Sequence, residues 1–215
     1  MKLTQMTLTD FVNEIDSKSP TPGGGSVSAL AAAMGAALAR MVGHLTIGRK
    51  RFLALGEATQ SEFTTLFNEI ALIKDRLLAA VDLDTAAYNG VMEAFRLPKE
   101  TETEQNLRSA AIQEATVKAI EVPLAVAKES FGLLEKLGPL ILHGNPNTLS
   151  DVGVGVMMLA GAIEGAALNV KINLAGLSNK QNARDYQHEV EVLLAKTILL
   201  RDTVLRDIHQ QLRIE

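Results

Sequence analysis

Cysteine is absent from the 215 residues, which excludes a disulfide, a thiolate metal site and a cysteine nucleophile. Tryptophan is absent too, and two Tyr and six Phe bring the aromatic share to only 4% of a chain that is 47% hydrophobic. The core must then be Ala, Leu, Val, Ile and Met, which favours packed helices over a sheet. Neither sign of charge dominates: 21 Lys and Arg face 25 Asp and Glu, a net charge of −4 that leaves no footprint for nucleic acid. There is no GxSxG, and His44, His143, His188 and His209 show neither HxxxH nor HExxH spacing, so neither a Ser–His–Asp triad nor a metal site is expected. Met1–Gln5 opens no apolar signal core, and the expected location is the cytoplasm. The longest apolar run, Val27–Ile47, has the length of a membrane span, but Arg40 and His44 interrupt it. Its Ala and Gly content also gives little transfer energy, so it reads as a buried helix of a soluble protein.

What is present centres on Pro20-Thr21-Pro22-Gly23-Gly24-Gly25-Ser26 and the small-residue helix that follows. The prolines hold the entry extended, the glycines admit unusual conformations or a close neighbour, and Ser26 is a natural N-cap. Ala31, Gly35, Ala39 and Gly43 recur every fourth residue, a ridge suited to close backbone approach. Three readings of the glycines stand side by side: a flexible linker, a tight structural turn, and a ligand-facing loop at a helix N-terminus. The pattern is neither a P-loop nor a dinucleotide fingerprint.

Elsewhere the chain is helical throughout. Thr7-Leu8-Thr9-Asp10 resembles a capping box opening a helix from about Leu8 to Ser17. Gly48-Arg49-Lys50-Arg51 is expected to close the Ala/Gly helix, either as a solvated end or as a grip on an acidic substrate tail. Leu66, Ile70, Ile73, Leu77 and Val81 give an apolar face to a helical region from Phe52 to about Phe95. A further helix is expected over Thr103–Leu137, kinked at Pro123, then a loop at Gly144-Asn145-Pro146-Asn147. Thr148 or Ser150 caps a second small-residue helix, Asp151 to about Leu174, with Met157, Gly161, Gly165, Asn169 and Asn173 at fours. Leu177–Asn182 turns into a last amphipathic helix, Ala183–Leu212. The expected fold is all-α: a single-domain bundle of long antiparallel helices over residues 1–215, paired as a dimer through surplus apolar surface.

Polar residues inside apolar stretches are the candidates for chemistry. Asp82 and Asp84 flank Leu83 between alanine pairs and diverge by about 200° on a helix, so an unbroken helix cannot aim both at one site. One beside an apolar pocket would have a raised pKa and serve as a general acid or base; the alternative reading is two exposed acids on a helix face. Asn145, Asn147 and Asp151 suit turn and cap chemistry as well as binding. Asn169 and Asn173 share a face from which Lys171 points away, and buried amides there need partners that a heteroaromatic ligand would supply.

Six stretches in register carry a resemblance across most of the chain. They are Pro20–Leu30, Leu45-Thr46-Ile47-Gly48-Arg49-Lys50, Asp82-Leu83-Asp84-Thr85-Ala86-Ala87-Tyr88, Phe95-Arg96-Leu97-Pro98-Lys99, Gly144–Asn147 with Ser150-Asp151-Val152-Gly153, and Gly165–Asn173. Together they resemble the formiminotransferase-cyclodeaminase family. That resemblance implies an all-helical dimeric enzyme of folate one-carbon metabolism, with no cofactor beyond its tetrahydrofolate substrate. Two activities are implied: a formimidoyltetrahydrofolate cyclodeaminase, a lyase, or a methenyltetrahydrofolate cyclohydrolase, a hydrolase. The animal enzymes fuse this unit to a formiminotransferase domain, which the sequence does not contain. By the family pattern Asp84 is the acid/base carboxylate and Asp82 the second choice or a supporting charge. Asn145, Asn147, Asp151, Asn169 and Lys171 would position the pterin or its one-carbon unit. Gly23, Gly24, Gly25 and Ser26 would shape the pocket, and Arg49 and Lys50 would meet the glutamate tail. The competing expectations are a helical dimer acting only as an interaction scaffold, and a membrane-associated helical protein.

Overall fold

The computed structural model describes residues 2–212. Among them every regular element is helical. After a 3₁₀ turn at Leu3–Gln5 come α1 (Leu8–Ile15), α2 (Gly24–Thr46), α3 (Lys50–Leu53), α4 (Glu57–Phe95), α5 (Glu102–Glu135) and α6 (Gly138–His143). A second 3₁₀ turn, Pro146–Thr148, leads into α7 (Leu149–Leu174) and α8 (Lys180–Gln211).

Local signals explain most boundaries. The Thr7 hydroxyl accepts the Asp10 amide to start α1, and Thr101 with Glu104 forms a reciprocal capping box on α5. Asn179 accepts the amides of Gln181 and Asn182 and so starts α8. The long helix expected from Phe52 is divided, because the chain leaves α3 at Ala54 and re-enters at Gly56. The Gln60 amide group, donating to the Leu55 carbonyl at 2.7 Å, satisfies that break. Pro123 is buried inside a continuous α5.

Two capping expectations fail. Thr148 stands at the start of α7 but spends its hydroxyl on the Asn145 carbonyl, 2.7 Å away, and α7 begins at Leu149. The cations after α2 do not sit in its last turn. Gly48, with φ at +78°, reverses the chain, and Arg49 instead becomes the entry to α3.

Both α4 and α7 pack antiparallel to α2. Gly25 lies beside Asp84 and Gly43 beside Phe67, which runs α4 back along α2. Gly24 lies near Asn169 and Gly35 against Gly155, which runs α7 back along the other flank. At that crossing a Cβ on Gly35 would meet the Gly155 carbonyl at 3.0 Å, and one on Gly155 would meet the Gly35 carbonyl at 3.2 Å. The small-residue ridge of α2 is thus spent inside the chain. The ridge anticipated on α7 holds only in part: Gly165 and Asn169 lie against Ser28 and Gly24 of α2, but Gly155 makes the crossing with Gly35, while Met157 is half exposed and a Cβ on Gly161 would meet nothing within 4 Å. Phe63, Ile70, Leu77 and Val81 of α4, fully buried, fill the centre with Leu133, Leu134, Leu159 and Ile163. Each such side chain contributes about 1.5–3 kcal/mol of burial.

Candidate active site

The N-terminus of α2 is where the bundle departs from ordinary helix chemistry. Gly23 is its N-cap, and among the described residues no side chain of the local sequence caps it. Ser26, expected to do so, lies inside the first turn, and its hydroxyl donates to the Val81 carbonyl at 2.9 Å or to Asp84 Oδ2 at 3.0 Å. The Asp84 carboxylate, arriving from α4, stands at that end of the helix, where the Ser26 hydroxyl and backbone amide both lower its pKa. A carboxylate there meets free amides and the positive end of the helix dipole. Thr85 completes the group, with its Oγ1 3.1 Å from Ser26 Oγ.

This is also why three glycines precede Ser26. None has a positive φ, and Gly24 and Gly25 are already helical, so the conformational reading of the run fails. Space is what they provide. A Cβ on residue 25 would lie within 3.0 Å of three Asp84 carboxyl atoms, and one on residue 24 would stand 3.1 Å from Asn169 Nδ2.

Asp84 is largely buried, and burial pushes its carboxyl above the ordinary aspartate value; the two Ser26 hydrogen bonds pull the other way and do not offset it. The result is a carboxyl group able to take up and return a proton nearer neutrality, set directly against the glycine backbone. Asp82 faces elsewhere on the unbroken α4. Its two oxygens accept the Leu3 amide at 2.6 Å and the Thr4 hydroxyl at 2.7 Å.

Asn169 lies across the glycines from Asp84, its amide nitrogen donating to the Gly165 carbonyl at 2.8 Å. Asn173 donates in turn to the carbonyls of Asn169 and Ala119, both at 2.9 Å. Ser28, missed in the sequence, donates to the Gly24 carbonyl at 2.7 Å and fills the place where a side chain on residue 165 would go. Lys171 points outward and is exposed.

The remaining sequence candidates gather elsewhere. Arg49, Lys50, Asn145 and His143 line a cavity of about 330 Å³ with Arg51 and Phe52. The Asn145 amide donates to Thr46 Oγ1 at 2.9 Å, tying the loop to the end of α2, and its side-chain oxygen accepts the Asn147 amide. Asn147 is exposed and Asp151 partly so. Helical rise places this cationic cavity about 30 Å from Asp84, the length of α2 from Gly25 to Thr46. The candidates therefore form two clusters at opposite ends of one helix. No group of three or more metal-ligating side chains occurs among the described residues.

The chain is similar to known proteins along most of its length. The model of the family described as formiminotransferase-cyclodeaminase matches residues 7–192. A methenyltetrahydrofolate cyclohydrolase of Methylorubrum extorquens is 34% identical over 92% of this chain and 93% of its own length. The formimidoyltransferase-cyclodeaminase of Gallus gallus is 38% identical over 86% of this chain, which spans only 33% of that longer protein. Among solved structures, a formiminotetrahydrofolate cyclodeaminase from Thermotoga maritima superposes with a TM-score of 0.79 at 25% identity, covering 96% of this chain and 99% of its own. With the family's own model matched from Thr7 into the first half of α8, the chain belongs to the formiminotransferase-cyclodeaminase family.

Proposed function

We propose that this protein is an enzyme of folate one-carbon metabolism that makes or breaks a bond at the one-carbon bridge of a tetrahydrofolate derivative, with Asp84 as the general acid/base. The observation that carries this reading is the Asp84 carboxyl, buried against Gly25 yet held ready by Ser26. Relatives named for both cyclohydrolase and cyclodeaminase activity support it.

Both reactions pass through a tetrahedral carbon bearing two folate nitrogens and a third group. In the cyclohydrolase direction water adds to the methenyl carbon and Asp84 takes its proton. That proton then returns to the departing folate nitrogen as the carbon–nitrogen bond breaks, while the hydroxyl gives its own proton to solvent and becomes the formyl C=O. In the cyclodeaminase direction the free folate nitrogen closes on the formimino carbon and gives up its proton. Asp84 then protonates the original imino nitrogen, which leaves as ammonia. The ionised carboxylate also faces the cationic amidine that both reactions share, a favourable pairing in a partly desolvated site. Asn169, whose Nδ2 is committed to Gly165, keeps its oxygen as an acceptor for ligand N–H groups. No cofactor beyond the folate itself is required.

Arg49 and Lys50 suit the carboxylates of a folate glutamate tail, but they lie the length of α2 from Asp84. A second copy set antiparallel along α2 would bring its cationic cavity toward that carboxylate. Supporting this pairing, Val27, Met34 and Leu45 form an exposed apolar stripe on α2, and Met157, Leu168 and Ile172 form another on α7. We read the active form as a cytoplasmic homodimer with shared sites. The two most apolar helical stretches, Gly24–Thr46 and Pro146–Leu174, are long enough to cross a membrane, yet more than half of each is buried inside the bundle.

The test is absorbance of the methenyl chromophore with each substrate. Loss well above the spontaneous rate with methenyltetrahydrofolate identifies a cyclohydrolase. Appearance from formimidoyltetrahydrofolate, with ammonia release, identifies a cyclodeaminase. A dimer that turns over neither and binds no folate returns the chain to the scaffold reading.

A further inference from the structure

Residues 3–26 are fastened to α4 at both ends, and the fastenings are neighbours. At one end the Leu3 amide and Thr4 hydroxyl donate to the two oxygens of Asp82. At the other, the Ser26 hydroxyl donates to the Val81 carbonyl or to Asp84. Between them the chain is lightly held. In α1 only Phe11 is buried, while Leu8 is 74% exposed, and Val12 and Ile15 are exposed as well. Residues 16–20 are exposed, and Pro22 is the next buried residue. Beneath the segment lies an apolar cavity of about 210 Å³, lined by Leu3, Met6, Phe11, Leu30, Leu78 and Val81. A segment over a partly empty floor takes its position from its tethers more than from packing.

We propose that residues 3–23 are a strap tied down beside the reaction centre and that Asp82, its anchor, is a positioning residue for the reaction. This rests on the reading of Asp84 as the acid/base group. Asp82 does not reach the Asp84 side of α4, since the two side chains leave the helix about 200° apart. It acts through the backbone instead. By holding residues 3 and 4, it fixes the far end of the loop whose near end sets Gly23–Ser26 on the Asp84 carboxyl. An ionised acceptor suits this role, because hydrogen bonds to a charged oxygen are the stronger kind. Asp82 is therefore more than a second exposed acid, and it is not itself a catalytic residue.

The experiment uses the full chain carrying Asp82→Ala, Asp82→Asn or Phe11→Ala, the last loosening the strap from its own side. Amide hydrogen exchange over residues 3–26 is measured alongside kcat and KM. Asp82→Ala is expected to speed exchange across the strap and at the Gly25 and Ser26 amides by about tenfold or more, leaving α7 unchanged. It is also expected to lower kcat about tenfold with KM little changed, since a small displacement of the acid/base site costs rate rather than affinity. Phe11→Ala should reproduce the kcat loss, and Asp82→Asn, which retains one oxygen for the Leu3 amide, should recover part of it. A loosened strap with unaltered kcat overturns the proposal, as does a kcat loss with no change in strap exchange. If the wild-type chain turns over neither folate, the functional reading fails by itself. The exchange at Gly25 and Ser26 then still decides whether Asp82 governs the glycine turn, and unchanged exchange there overturns the strap.

Discussion

The carboxyl of Asp84 occupies the space that a side chain on residue 25 would need, so the acid and the glycine fit only as a pair. Gly25→Ala forces either the carboxyl or the end of α2 to move, since neither is the free end of a flexible chain. The expected outcome is destabilisation of about 1–3 kcal/mol, the usual cost of overpacking a buried contact. Turnover should fall by about 100-fold, because the displaced group is the proposed acid/base. Thermal unfolding and the absorbance assay on the same preparation check both parts.

Removing the charge instead separates activity from stability. Burial holds Asp84 above the ordinary aspartate value in the folded state. A carboxyl raised in this way favours the folded state fully below its unfolded pKa, and that contribution is lost as pH rises through the folded pKa. Asp84→Asn cannot ionise, so its melting temperature should gain on the wild type as pH rises from about 4 towards neutrality. Its turnover should drop by about 100-fold or more at every pH, as for loss of an acid/base group. An Asn variant that folds and turns over either substrate normally removes Asp84 from the mechanism.

Ser26 tunes the same group. Its hydroxyl and amide both pull the Asp84 pKa down against the effect of burial. Ser26→Ala deletes the hydroxyl hydrogen bond, so the Asp84 pKa rises further. Because the reaction uses the ionised form as base, the acidic limb of the kcat/KM profile should move to higher pH. Activity at alkaline pH should approach that of the wild type. An unshifted limb would mean that the limb reports another group.

How much of this could be read beforehand depends on which residues touch. Periodicity gave the helices, because Leu66, Ile70, Leu77 and Val81 must share a face whatever they pack against. The divergence of Asp82 and Asp84 followed from helical pitch alone, and the structure puts them on different partners. What stayed hidden was the reason for the glycines. Backbone freedom is a property of one residue, whereas room for a carboxylate comes from α4, some sixty positions away in sequence. Ser26 misled for the same cause: its hydroxyl suits a local cap, yet a distant carboxylate claims that end of the helix. The separation of Arg49 and Lys50 from Asp84 was equally out of reach. Motifs in register say that residues serve one family, not that one subunit brings them together.

That separation supplies the last test. If each site takes Asp84 from one subunit and Arg49 with Lys50 from the other, then Asp84→Asn and the double variant Arg49→Ala/Lys50→Ala carry their lesions on opposite halves of the same site. Each homodimer is defective at both of its sites, the first in kcat and the second in KM. Dissociated, mixed in equal amounts and reassociated, half of the dimers are heterodimers. In a heterodimer one site inherits both lesions and the other inherits neither. At subsaturating substrate, activity should therefore return to about a quarter of the wild-type value, as two-fold symmetry requires. Activity that stays at the mean of the two parents would place the tail-binding cations and the acid on the same subunit's site, or remove the cations from the site altogether. Single-substitution controls mixed with wild type separate these outcomes from simple failure to exchange subunits. Recovery of the intact site can come only from chains exchanging partners, since neither variant contains both halves.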